Sequence, residues 1–181
     1  MRMFKRIALG LLIVIAVFVA VSYLLPRHVI VERQVTIDAP PEEVFPFVNS
    51  LQSGTEWSPW TVRDPDMEVT FEGPEEGVGN TMVWRSDVDT VGNGRQEIVE
   101  SIENERVETL LDFGEMGTAD AWIDLEDVGG GTQVTWGLDV DMGMNPIGRW
   151  MGLMMDRLVG PDYEAGLMNL QDIVEEGQGD T

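Results

Sequence analysis

Residues 147–175 read IGRWMGLMMDRLVGPDYEAGLMNLQDIVE, and the fold turns on what this stretch has to cover. Ile147, Trp150, Met151, Met154, Met155 and Leu158 keep helical spacing, and Leu167, Leu170, Ile173 and Val174 resume it after Gly160-Pro161. Proline cannot donate into the helical ladder, so a bend or brief interruption is expected at that dipeptide. The stripe is the one long amphipathic helix after residue 27, so it needs a partner of another kind.

That partner lies upstream. Val31, Arg33, Val35 and Ile37 share one face of a first strand; Met67, Val69 and Phe71 alternate with Glu68, Thr70 and Glu72 in a second. Met82 and Trp84, then 96–101, 107–113, 121–125 and 134–140 continue the alternation between Gly-rich turns at Gly92-Asn93-Gly94 and Gly129-Gly130-Gly131. Period-2 patterning with such turns describes an antiparallel meander with one buried face. Residues 41–51, PEEVFPFVNSL, interrupt it as a helix: Pro41 and two glutamates open it, Val44, Phe45, Val48 and Leu51 form its stripe, and Pro46 kinks it. The order is therefore strand, helix, six strands, long helix, an α+β arrangement. A curved sheet of about seven strands closing on one helix leaves a cavity between them.

The chain opens differently. Residues 7–25, IALGLLIVIAVFVAVSYLL, carry no charge over 19 positions. As a helix they span roughly 28 Å, close to the hydrocarbon thickness of a bilayer. Arg2, Lys5 and Arg6 precede the run and Arg27 alone closely follows it, which predicts a single-pass inner-membrane anchor with a cytoplasmic N-terminus and the remainder extracytoplasmic. The competing reading is a cleaved signal peptide, with Ala20-Val21-Ser22 as a small-x-small site. Four of the 11 basic residues precede His28 and all 33 acidic ones follow it, leaving residues 28–181 at −26. Such a surface repels phosphate backbones and excludes nucleic acid as a partner.

Several phrases in order, VERQVTIDAPPEEVFPFVNSLQSGTEWSPW, GVGNTMVWRSD, GNGRQEIVESIENERVETLLDF, GGGTQVTWGLD and NPIGRWMGLMMDRLVGPDYEAGLMNL, resemble the SRPBCC superfamily, within it the polyketide cyclase/dehydrase-like group. The resemblance covers about residues 29–174 and implies the START-like helix-grip fold, with binding of hydrophobic small molecules or lipids more common than catalysis. The organisation expected is residues 1–27 as cytoplasmic stub and transmembrane helix, 28–176 as the helix-grip domain, and 177–181 as a flexible tail.

Catalytic equipment is sparse. The chain has no cysteine, Lys5 is its only lysine, and the only histidine, His28, stands at the membrane exit. No catalytic set is assigned, and acid–base chemistry would fall to carboxylates, tyrosine or arginine, with Arg33, Glu97 or Glu100, and Tyr163 as the candidates for inward faces. A calcium-loop register starting at Asp64 fails at Val69, where the turn demands glycine. Gly77-Val78-Gly79 and Gly92-Asn93-Gly94 lack the rest of a nucleotide loop, so neither metal nor cofactor is expected.

Strand parity and the helix stripe nominate Trp57, Trp60, Phe71, Met82, Trp84, Ile98, Leu111, Ile123, Trp136, Met151 and Met155 as cavity residues, with Arg33 and Tyr163 as candidate polar cavity groups. Trp57 and Trp60, in GTEWSPW, read as a packing plug or as the lip of the cavity, with membrane contact a third reading that Glu56 and the acidic surroundings oppose, in a segment that does not look like regular helix. Adaptable thioethers in the last helix suit ligands of varied shape. The function expected is a membrane-anchored module that binds or carries a hydrophobic small molecule or lipid; a cyclase or dehydratase using cavity carboxylates and an envelope protein-interaction module are the alternatives.

Overall fold

The computed structural model describes residues 2–178. A helix, α1 (Arg2–Ser22), precedes β1 (His28–Ile37), three short helices α2 (Pro41–Val48), α3 (Leu51–Trp57) and α4 (Pro59–Arg63), and six further strands. These are β2 (Glu68–Glu72), β3 (Thr81–Arg85), β4 (Gly94–Ile102), β5 (Arg106–Asp112), β6 (Thr118–Asp127) and β7 (Thr132–Asp141). Helices α5 (Pro146–Gly152) and α6 (Met155–Gln178) close the chain. All strand pairs are antiparallel in the order β1-β7-β6-β5-β4-β3-β2, so β1 crosses over to pair with β7 while the others follow as a meander.

The alternation sets which face is buried. Val31 and Ile37 from β1, Val107 and Thr109 from β5, Ala121, Ile123 and Leu125 from β6, and Val134, Trp136 and Leu138 from β7 turn to the same side and are buried. Against them α6 lays Tyr163, Leu167, Leu170 and Val174, each no more than 4% exposed. The β6–β7 turn needs Gly129 and Gly130, whose φ values of 83° and 132° a side chain rarely adopts. A bulge between Ile98 and Glu100 shifts the β4 register. Glu97, next to inward Ile98, faces outward by plain alternation and pairs with Arg95, while the bulge turns Glu100 outward to Arg106, so neither enters the cavity that both were candidates to enter.

Three local expectations are corrected. The helix predicted over 41–51 is two helices. Asn49 ends α2, its N–H donating to the Phe45 carbonyl and its Oδ1 accepting from the Ser101 hydroxyl, while Ser50 caps α3 by accepting from the Ser53 N–H. GTEWSPW proves helical on both sides of Ser58: Trp57 ends α3, and Pro59 and Trp60 open α4. The C-terminal helix runs unbroken through Gly160-Pro161, because Pro161 is exposed and the carbonyl it cannot reach belongs to exposed Arg157. The interruption comes earlier, at Leu153-Met154 between α5 and α6.

Helix α1 carries an apolar window within Met3–Ser22, with a mean hydropathy of 2.4 and none of that window buried. It meets the length and hydropathy of a membrane span, a test that a signal sequence also passes. Of the tail expected at 177–181, residues 179–181 lie outside the described residues.

Candidate functional site: an apolar cavity between sheet and helix

Sheet and α6 diverge toward the end where β1 begins and β7 finishes, and a cavity of about 1090 Å³ opens between them. Its inner wall is aromatic. The Tyr163 ring stacks on Trp136 at 3.9 Å with planes 11° apart. Trp57 and Trp60 meet Trp136 edge-on at 5.0 and 5.9 Å, and Trp60 also meets Tyr163 at 6.3 Å. Edge-to-face and offset pairs of this kind add about 0.5–1.5 kcal/mol each beyond the area they bury. Trp57 is nearly closed off and donates its indole N–H to the Phe47 carbonyl, whereas Trp60 is half-buried. The tryptophan pair is thus both plug and wall: one indole anchors α3, and both border the void.

Gly166 is the residue of α6 that permits this packing. A Cβ there would stand 2.6 Å from the Trp136 ring and 3.1 Å from Pro59. Farther out, Trp84 meets Phe113 edge-on at 6.0 Å and lies against Gly94, where a Cβ would come within 2.5 Å of its ring.

Of the residues nominated from sequence, Trp57, Trp60, Met82, Trp84, Leu111, Ile123, Trp136, Met151, Met155 and Tyr163 line this cavity. Three do not. Phe71 sits on the edge strand β2, beyond the reach of α6, and is 37% exposed. Ile98 is fully buried in the closed part of the core, where its carbonyl accepts from the Gly79 N–H. Arg33 passes over the outside of α6 at Gly160, donating from Nε to Glu164 at 2.7 Å and from NH1 to Asp156 at 2.9 Å. A long side chain at a sheet margin reaches water and carboxylates instead of the interior, whatever the parity of its strand.

Tyr163 apart, the polar groups of the cavity were not among the residues nominated from sequence. Arg63 pairs in a two-pronged contact with Asp162, its NH1 3.2 Å and its NH2 2.5 Å from the carboxylate, and both residues border the void. Gln96 Nε2 donates to Thr109 Oγ1 at 3.1 Å on the sheet side. Thr61 Oγ1 is buried in the wall and is the one buried side-chain polar atom without a hydrogen-bond partner among the described residues. Burial pushes the Tyr163 phenol above its ordinary range, so it stays neutral at physiological pH. The Arg63–Asp162 pair spans 99 residues of sequence, and no local pattern announces it.

The chamber is a large apolar volume with a few hydrogen-bonding groups, on a sheet that grips one helix. The sequence profile of the family described as polyketide cyclase / dehydrase and lipid transport matches residues 28–175. The chain belongs to that family. Solved structures share its helix-grip architecture at low identity. The protein TTHA0849 from Thermus thermophilus is 21% identical, with a TM-score of 0.59 over 82% of this chain and 98% of that one. The di-domain ARO/CYC StfQ from the steffimycin biosynthetic pathway is 10% identical, with a TM-score of 0.62 over 84% of this chain and 52% of the di-domain chain. The Aha1 dimer from Colwellia psychrerythraea is 19% identical, with a TM-score of 0.54 over 81% and 96%. At these identities the likeness is one of fold. Among curated proteins, none matches the chain.

Proposed function

We propose that this member of the family is a membrane-tethered binding or carrier module, holding one apolar small molecule or lipid between sheet and α6. The observation that carries the reading is the cavity itself. At about 1090 Å³ it lies just above the roughly 300–1,000 Å³ usual for small-molecule sites, too large for a collapsed interaction module. Its aromatic and thioether walls suit a molecule with little polarity. Helix α1 supplies the tether, its basic flank in the cytoplasm and the domain on the other side. The family's description, which includes lipid transport, supports the same class of ligand.

A cyclase or dehydratase would need a proton donor and acceptor converging on the chamber. Arg63 meets a single carboxylate there, and Tyr163 is a neutral phenol committed to aromatic stacking, so the geometry favours binding over turnover. Native mass spectrometry of the full-length protein, extracted from membranes of several hosts without added lipid, tests the reading. One equivalent of a co-purified apolar molecule is expected. A bare protein mass from every host would overturn it.

A further inference from the structure

Every loop at the open end of the sheet lies on the side from which α1 arrives. The chain enters β1 at His28, which pairs with Asp141 at the end of β7. The loops 86–93 and 113–117 belong to the same end, because the antiparallel order brings the end of β3, the start of β4, the end of β5 and the start of β6 there. Residues from these loops and from α5 rim the cavity, among them Val91, Met116, Gly148 and Met151. The mouth and the anchor therefore share one face of the domain.

The contact between α1 and α5 fixes how close they are. The Phe18 and Trp150 rings stack at 5.1 Å with planes 12° apart, and Trp150 Nε1 donates to the Phe18 carbonyl at 3.3 Å. Arg149 is buried and donates to the carbonyls of Gly143, Tyr23 and Leu25 at 3.0, 3.4 and 3.2 Å, with its guanidinium over the Tyr23 ring. Phe18 lies four residues inside the end of α1, about 6 Å along the helix axis. A helix that spans the bilayer from Met3 to Ser22 thus carries Trp150 to the depth of its own last turn.

What surrounds Trp150 matches that depth. Met144, Ile147, Met151, Leu153, Met154 and Leu158 are each more than half exposed. Six apolar side chains open to water on α5, the start of α6 and the turns beside them are a costly arrangement for a soluble surface. Residues 142–161 also carry two arginines against one aspartate, in a domain that is otherwise strongly acidic. The opposite rim differs, with exposed Asp87, Asp89 and Glu115.

We propose that α5 and the first turn of α6 form an apolar lip embedded in the bilayer interface, tilting the cavity mouth so that it loads directly from the membrane leaflet in which α1 ends. The acidic rim stands off in water and keeps the mouth from sealing flat. Met151 and Leu158 belong both to the lip and to the cavity lining, so a molecule dissolved in the leaflet would pass from acyl chains to thioether and leucine walls without crossing water. The inference rests on the reading of α1 as a membrane anchor.

The full chain has no cysteine, so single nitroxide labels report positions cleanly. Leu12→Cys, Ile147→Cys, Met154→Cys and Val88→Cys all replace exposed side chains, which protects folding. In phosphatidylcholine proteoliposomes, labels at 12, 147 and 154 should be more accessible to oxygen than to a water-soluble nickel chelate, with the order inverted at 88. If position 12 is in hydrocarbon while 147 and 154 behave like 88, the lip is overturned and the anchor survives. Water accessibility at 12 as well overturns both.

Discussion

The two ends of the last helical segment, only a few turns apart, do opposite things with apolar side chains. Toward the C-terminus, Leu167, Leu170 and Val174 are buried against the sheet and hold the fold together. Toward the N-terminus, Ile147, Met151, Met154 and Leu158 keep the same spacing and stand open beyond the sheet. The change falls around Tyr163 and Gly166, where α6 leaves close contact with Trp136 and the cavity begins. Helical periodicity records that a face is apolar; it does not record what meets it.

The sharpest way to break that contrast is to truncate one residue from each end. Leu170→Ala should destabilise the protein by about 2–5 kcal/mol in denaturant titration, as deletions in closed cores do. Ile147→Ala should fall within about 0.5 kcal/mol of the parent by the same measurement. Equal losses would mean the proximal half is packed as well.

Gly166→Ala tests the boundary itself. The new methyl would press on a rigid indole and on Pro59, so a loss of about 1–3 kcal/mol is expected, with the Trp136 near-ultraviolet signal altered. An unchanged melt and spectrum would show that α6 can lift from the aromatic wall.

Arg149→Gln removes the clasp between α5 and the carbonyls at the end of α1. Local opening should become easier by about 1–2 kcal/mol, read as faster amide exchange in residues 143–152 with little change across β6 and β7. Uniformly faster exchange would place Arg149 in the global core instead.

The smallest effect concerns acid. The Arg27 guanidinium, followed by the Gly143 N–H, holds the Asp141 carboxyl well below the usual carboxylate range. A carboxylate lowered in the native state stabilises the protein above its unfolded pKa and loses that contribution as pH falls through its native value. The melting temperatures of the parent and Asp141→Asn should therefore differ by a constant, small amount at neutral pH and converge only below about pH 4. High salt should shrink the gap, because the pair is exposed. Convergence already at pH 6 would contradict the assignment.

Most of the fold was legible because it is written in short-range pattern. Seven alternating runs became seven strands, and the final amphipathic run became the helix they grip. Strand parity also placed Met82, Trp84, Leu111, Ile123 and Trp136 on the inward face, since side-chain direction follows position within a strand. Parity failed at Glu100, just past a bulge, and at Arg33, whose length lets it leave the face to which its Cβ belongs, whereas Glu97 lies outward as its place beside inward Ile98 requires. Ile98 and Phe71 had inward or apolar character, but whether such a residue borders a void depends on how far the covering helix extends.

By itself the sequence determined the apolar opening helix, the acidic domain after it, the sheet-and-helix architecture and the lack of thiol or lysine chemistry in that domain, because composition and periodicity are local properties. Tertiary structure alone decided where the cavity lies, that Arg63 meets Asp162 beside it, and that Phe18 meets Trp150, 132 residues away. Such pairings are fixed by how whole elements stack, and no single window of the chain contains both partners.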